Sequence, residues 1–277
     1  RAPFPYFGGK SMIADTVWDA LGEPDHYIEP FFGSGAVLLA RPNYNPGAHT
    51  ESVCDKDGFL SNVWRSIQFS PQETAKWCDW PVNHADLSAR KKRLIENESH
   101  LLENLIKDDI WHDPKLAGYW IWAASCWIGA GLTRIGQRPH ISHRGKGVHA
   151  LGKIPHLTGF SEMRCHKKEA RKSGIYKWFD ALSSRLRYVR VVCGDWTRVS
   201  GGNWQDKIGL CGIFMDPPYS HETGRDNDIY HCEASISNEV QAWALKRGDR
   251  PSYRIVVCGY EGEYPLLEAA GWTVIPW

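Results

Sequence analysis

An apolar run from Ile208 to Met215 stops abruptly at Asp216-Pro217-Pro218-Tyr219. A short, near-continuous apolar run bounded by proline reads as a buried strand of a parallel sheet. Neither proline can donate a backbone hydrogen bond, so the strand must end there. Asp216 is thereby held at the carboxyl end of a strand, where open α/β sheets place their ligands. The prolines stiffen the backbone and leave its carbonyls as acceptors, and Tyr219 adds a flat face. A carboxylate, a carbonyl and an aromatic plate suit a planar group bearing an NH2, such as an adenine edge. The plainer alternative is a strand capped by Asp with a Pro turn.

The 277 residues fit one large domain, or a domain with a smaller companion, and a hydrophobic content of 42% permits a sizeable core. A net charge of +1 gives no global basic signature, so any polyanion site must come from local clustering. The eight cysteines contain no C-x-x-C pair and sit in apolar segments such as those of Cys54, Cys193 and Cys258. That pattern argues against a zinc framework or disulfide scaffold and for reduced thiols, hence an intracellular protein. The sequence has no run of about 18 apolar residues, so no membrane span is expected, nor is a signal peptide. The start at Arg1 and the stop at Trp277, inside an apparent strand, read as trimmed ends.

The opening Phe4-Pro5-Tyr6-Phe7-Gly8-Gly9-Lys10 combines aromatics, a double glycine and a lysine, and leads into a helical pattern to about Leu21. This group can cradle a small ligand with a carboxylate; a glycine turn before a helix is the plainer reading. His26 to Gly35 then reads as strand and Gly-rich turn, before the helix Ala36 to Ala40. Gly33 and Gly35 permit close backbone approach, but two glycines alone are a weak sign of a dinucleotide. A second strand, Glu51 to Cys54, ends in Asp55, 20 residues after Gly35. That spacing suits an acid accepting from ribose hydroxyls, so a nucleoside-bearing ligand is favoured. Asp57 competes for this role, or caps a helix beginning near Phe59.

From about 70 to 188 helical patterns dominate, over Leu87 to Lys107, Lys115 to Ile128 and Ile175 to Arg187. Between the last two, Arg134 to Lys172 holds ten Lys/Arg, five His and two Glu. In a chain of net +1 this excess reads either as a solvated loop or as a phosphate-contacting arm that orders on DNA. The histidines His140, His143, His149, His156 and His166 match no familiar ligand spacing, so no metal is expected. The sheet resumes at Tyr188 to Cys193, followed by Asp195 and Trp196. After the Asp216 strand come a helix near Asn238 to Arg247, a strand Tyr253 to Cys258 and a final strand Trp272 to Pro276. Strands alternating with helices on both sides of an insertion give an α/β fold with a mostly parallel, doubly wound sheet. The expected division is 1–70 with 188–277 as the α/β part, and 71–187 as a mainly helical insertion; the motif order described next implies that the first is catalytic and cofactor-binding and the second a target-recognition segment.

Three motifs, in this order, resemble the Dam-like, D12-class DNA adenine-N6 methyltransferases. Phe4-x-Tyr6-x-Gly8-Gly9-Lys10 looks like the family's N-terminal motif. Glu29-Pro30-Phe31-Phe32-Gly33-Ser34-Gly35 looks like its S-adenosylmethionine loop, and Asp216-Pro217-Pro218-Tyr219 like its catalytic tetrapeptide. Gly129-Ala130-Gly131-Leu132-Thr133-Arg134 loosely matches the family's Asn-Gly-Leu-x-Arg-like segment. The resemblance covers about two-thirds of the chain and implies a Rossmann-like, S-adenosylmethionine-dependent methyltransferase fold. It implies that Tyr6 and Lys10, with Gly8 and Gly9, contact the methionine part of the cofactor. Glu29, Pro30, Phe31, Phe32, Gly33 and Gly35 line its pocket, Asp55 holds the ribose, and Asp195 and Trp196 contact its adenine. Asp216 and the Pro217 carbonyl, followed by Pro218, hold the target N6 amino group, and Tyr219 stacks on the flipped base. Candidate contacts to double-stranded DNA are Arg134, Arg138, Arg144, Lys146, Lys167, Lys168, Arg171 and Lys172. A monomer in the cytoplasm of a prokaryotic or phage-infected cell is implied, with or without a restriction partner.

Two acceptors on the N6 hydrogens favour a pyramidal nitrogen with an available lone pair, so positioning and a nearby negative charge carry the chemistry. Three alternatives remain at this level: a cytosine-N4 or RNA adenine methyltransferase, an NAD-dependent oxidoreductase, and a non-catalytic DNA-binding relative. Asp at 216 favours adenine over cytosine, and an oxidoreductase has no use for Asp216 to Tyr219.

Overall fold

The computed structural model describes residues 2–6, 8–108, 110–127, 131–136, 168–201, 207, 209–219 and 236–277. Within these the chain forms two compact units. One comprises Lys10–Lys56 and Tyr188–Trp277, and the other Ala2–Gly9 and Asp57–Arg187. The sequence boundary expected at 70 thus lies at 56, and residues 2–9 go with the second unit. The reason is the helix Gly58–Phe69, whose residues Gly58 through Ile67 are all buried. A helix buried all round must be enclosed by other elements, here helices of its own unit.

The first unit holds a five-stranded, all-parallel sheet: β1 (His26–Glu29), β2 (Thr50–Asp55), β3 (Val189–Cys193), β4 (Cys211–Met215) and β5 (Tyr253–Val257). Their spatial order is β3-β2-β1-β4-β5, so the direction of winding reverses between β1 and β4. Ile28 pairs with Ile213 across that boundary. Successive strand residues point to opposite faces. Ile28, Cys54, Ile213 and Met215 face one way, into a core completed by Trp196, Val199 and Val240. The last two belong to helices α8 (Thr197–Ser200) and α9 (Ser237–Arg247), numbered here in chain order. On the other face Gly212 lies against Leu21 of α1 (Ala14–Leu21) and Pro24. Helices therefore flank both faces, as the alternation predicts. The remaining helices of this unit are α2 (Ala36–Leu39) and α10 (Pro265–Ala269).

The sheet's amino edge carries a buried ion pair, Arg41 Nη1 to Glu51 Oε1 at 3.2 Å, with both side chains 2% exposed or less. Arg41 also donates to Pro24 O. The expected strand Trp272 to Pro276 is absent. Residues 273–277 are exposed, with Val274 65% and Ile275 48% accessible. Apolar composition does not make a strand without a partner for its backbone groups.

The second unit is helical among its described residues: α3 (Gly58–Phe69), α4 (Pro71–Cys78), α5 (His84–Lys107), α6 (Pro114–Cys126) and α7 (Lys168–Leu186). α4 was not anticipated; Pro71 at its first position fits a helix start. Phe4 anchors the N-terminal strip onto this unit, its ring 5.6 Å from Trp64 and 5.0 Å from Trp120. Asp57 resolves its two candidate roles by capping α3, accepting from Phe59 N at 2.7 Å and Leu60 N at 3.4 Å. Asp57→Ala is expected to destabilise the protein by about 1 kcal/mol, measured by denaturant unfolding. Two buried cations are satisfied by backbone carbonyls, as burial demands. Arg65 binds the carbonyls of Leu105, Asp108 and Trp111 at 2.9–3.3 Å. Lys91 binds those of Gly131, Leu132 and Arg134.

Candidate functional site

The carboxyl ends of β1 and β4 meet at the point where the strand order reverses, the crevice where open α/β sheets bind ligands. β4 ends at Met215, whose carbonyl accepts from Cys258 N at 2.8 Å. This bond fixes the backbone just before Asp216. The Asp216 carboxylate is one-fifth exposed. Its Oδ2 is 2.7 Å from Lys10 Nζ, and its Oδ1 accepts from Tyr219 OH at 3.2 Å. Burial pushes the carboxyl above its usual range, while the Lys10 charge and both hydrogen bonds pull it down. A carboxylate has about four lone-pair sites, so two partners leave room to accept from an incoming amine. Lys10 Nζ also sits 5.3 Å from the centre of the Tyr219 ring and 5.8 Å from that of Trp277. Tyr219 meets Tyr260 edge-on, at 4.6 Å between centroids and 60° between planes.

The Gly-rich turn lies at the end of β1. Gly33 has φ +47° and Gly35 φ +61°, in the left-handed region that glycine occupies at least cost. The turn is held from two sides: Phe32 N donates to Cys54 O at 2.9 Å, and Gly33 N to Asp55 Oδ2 at 2.8 Å. Asp55 therefore has a structural task, ordering the loop. Its half-buried position at the tip of β2 fits the ribose contact expected of it.

Several residues assigned to the cofactor pocket play other parts. Glu29 is 3% exposed, and its Oε2 accepts from Tyr27 OH at 2.9 Å. Burial drives its carboxyl well above the usual range, against the pull of its hydrogen bonds to Tyr27 and Leu38. Glu29 is thus an interior acid beneath the turn. Phe32 is 2% exposed and Pro30 is buried, so they shape the turn from below. Trp196, expected against an adenine, is 5% exposed and belongs to the core. Its indole stacks on Phe31 at 6.0 Å and 29°. Phe31, half-buried, offers the accessible ring face instead. Asp195 is exposed and caps the turn into α8, accepting from Thr197 N at 3.0 Å and Thr197 Oγ1 at 2.5 Å. These bonds hold its carboxyl below the usual range, the side-chain bond to Thr197 most of all.

Tyr6, Gly8 and Gly9 belong to the second unit. There Tyr6 lies edge-on to Phe4 and its carbonyl accepts from Gly9 N at 3.3 Å. Of the basic candidates, Arg134 is half-buried in the turn that Lys91 pins. Arg138, Arg144, Lys146 and Lys167 lie outside the described residues, as do the five histidines. Lys168, Arg171 and Lys172 fall on the first turns of α7, whose side chains there are likewise outside the description. Among the described residues no cluster of His, Cys, Asp and Glu is arranged to hold a metal, and no helix is long and apolar enough to cross a membrane.

Sequence reasoning missed the direct pairing of Lys10 with Asp216, and also Tyr260, Glu263 and Ser237. Glu263 follows β5 at the same carboxyl edge as Asp216, so an acid just beyond a strand was the available signal. No protein-family model and no curated protein matches this sequence.

Proposed function

We propose that this chain is a Dam-like DNA adenine-N6 methyltransferase. The observation that carries the reading is the position of Asp216-Pro217-Pro218-Tyr219. The tetrapeptide lies at the carboxyl end of β4, beside the glycine turn of β1, at the reversal of strand order. The residues present fit S-adenosylmethionine: a tight turn with two left-handed glycines, an acid at the tip of β2, and a half-buried aromatic face at Phe31. When bound, that cofactor supplies a methyl group activated on a sulfonium.

The chain's own residues account for the rest. Asp216 and the Pro217 carbonyl accept the two N6 hydrogens and draw the lone pair out of the ring. The carboxylate stabilises positive charge developing on N6. Transfer would form the N6–C bond as the S–C bond of the sulfonium breaks to leave a neutral thioether, and the N6 proton then shed would pass to the Asp216 carboxylate and on to water. Extruding the adenine costs roughly a few kcal/mol. Stacking on Tyr219 returns about 1–3 kcal/mol. The ten Lys/Arg between 134 and 172 supply the local positive charge that a duplex partner calls for.

The test is methyl transfer from labelled S-adenosylmethionine to unmethylated duplex DNA, followed by digestion to nucleosides. Label in N6-methyladenine is the expected result. Label in N4-methylcytosine would overturn the adenine assignment. Label on RNA alone, or none with cofactor bound, would overturn the DNA methyltransferase reading.

A further inference from the structure

The turn that follows β5 holds groups for which the transfer step above has no use. Glu263 Oε1 accepts from Ser237 Oγ at 2.7 Å, at the first residue of α9. Its Oε2 accepts from Tyr260 N at 2.8 Å. Ser237 is 2% exposed, so this is an interior contact. One carboxylate thus ties the β5 turn to the start of α9. The turn is also closed on itself, since Tyr264 OH donates to Cys258 O at 3.2 Å. Gly259 leaves the room this requires: a Cβ there would sit 2.4 Å from the Tyr264 ring and 3.0 Å from Glu263 Oε2. Tyr260 projects from the closed turn onto the edge of Tyr219. Aromatic rings favour such edge-to-face contact because ring edge and ring face carry opposite partial charge.

We propose that Glu263 is a positioning residue, holding Tyr260 edge-on against Tyr219 and so setting the tilt of the ring on which the target base stacks. The inference rests on the methyltransferase reading for its consequence, but the clamp can be measured without catalysis. A ring held at one angle admits a planar base at one height above Asp216, and a small misplacement of reacting atoms lowers rate steeply. Glu263 acts a second way. The charged and titratable groups around Asp216 include Lys10 before α1, Glu29 in β1, Tyr219, Cys258 and Tyr264 after β5, and Glu263. Lys10 pulls the Asp216 carboxyl down and Glu263 pushes it up. Removing Glu263 therefore lets Asp216 ionise at lower pH, and the acid limb of the transfer rate moves to lower pH.

The experiment uses the full chain with 3-fluorotyrosine at position 219, in Glu263→Ala, Tyr260→Ala and the double variant, with Glu261→Ala as an exposed control. The fluorine resonance is expected to move in Glu263→Ala and Tyr260→Ala, and to stay put in Glu261→Ala. Each of the first two is expected to lower kcat about tenfold with the KM for S-adenosylmethionine within about twofold. The double variant should be no worse than the poorer single, because both act through one contact. Of the two single variants only Glu263→Ala should shift the acid limb, and the double variant should shift it equally. An unmoved resonance, or losses that multiply in the double variant, overturns the proposal. Should Glu263→Ala fail to fold, Glu263→Met keeps most of the side-chain volume while removing both carboxylate acceptors, and the same resonance decides. If the unsubstituted chain transfers no methyl group, the functional reading falls and the fluorine measurement alone decides the clamp.

Discussion

Asp216→Ala is expected to reduce methyl transfer by at least about 10²–10³-fold, the scale on which a single preorganised electrostatic partner of a transition state acts. Cofactor affinity should stay within about tenfold, since the glycine turn is held by Asp55 and Cys54 rather than by Asp216. The same substitution takes from the Lys10 ammonium, 5% exposed, its ion pair with Asp216. Stripping one member from a buried pair costs about 3–5 kcal/mol, so the alanine variant also loses stability. Asp216→Asn separates the two effects. Asparagine retains an oxygen for Lys10 and so melts closer to the parent, yet it lacks the charge that stabilises N6. Transfer by the Asn variant at the parental rate, in the labelled assay, would sink the electrostatic role.

Lys10→Met is the second large expected effect, and its signature is a pH profile. Burial already raises the Asp216 carboxyl, and the Lys10 charge is the strongest influence pulling it back. Without that charge the carboxyl climbs further. The carboxylate is the form that accepts the N6 hydrogens. Transfer is therefore lost as pH falls through the raised value, and the acid limb moves to higher pH in Lys10→Met. The variant should be slower on the acid side of that limb and recover as pH rises above it. If Lys10 served only a cofactor carboxylate, the KM for S-adenosylmethionine would rise and the limb would not move. The two outcomes cannot be confused.

The strands of the sheet are legible in the sequence, the partly exposed β3 and β5 as well as the buried β4. β4 is apolar without interruption and ends in two prolines, so period, length and terminus all agree. The Gly33 and Gly35 turn is legible because left-handed backbone needs glycine. What eluded the sequence depends on who pairs with whom. Asp55 and Asp57 stand two residues apart with the same chemistry; one anchors a loop and the other caps a helix. Trp196 follows an acid at a strand end, which reads as a ligand contact, but its large apolar area is worth more in the core. The Trp272 to Pro276 segment has strand composition and no partner. Lys10 and Asp216 lie at opposite ends of the sequence, and no local pattern pairs them.

The pairing of β1 with β4 also has a temporal side. Asp25, just before β1, accepts from Leu210 N, 185 residues away. During synthesis the glycine turn and Lys10 emerge well before their acidic counterpart, Lys10 by 206 residues. Closing so long a loop is an entropic cost that must be met before the contacts reward it, and parallel pairing across such a separation is slow. The lysine therefore stands without the aspartate until β4 slots in beside β1, and the site is complete only then. A fragment ending before Cys211 holds one wall of the crevice and none of its acid.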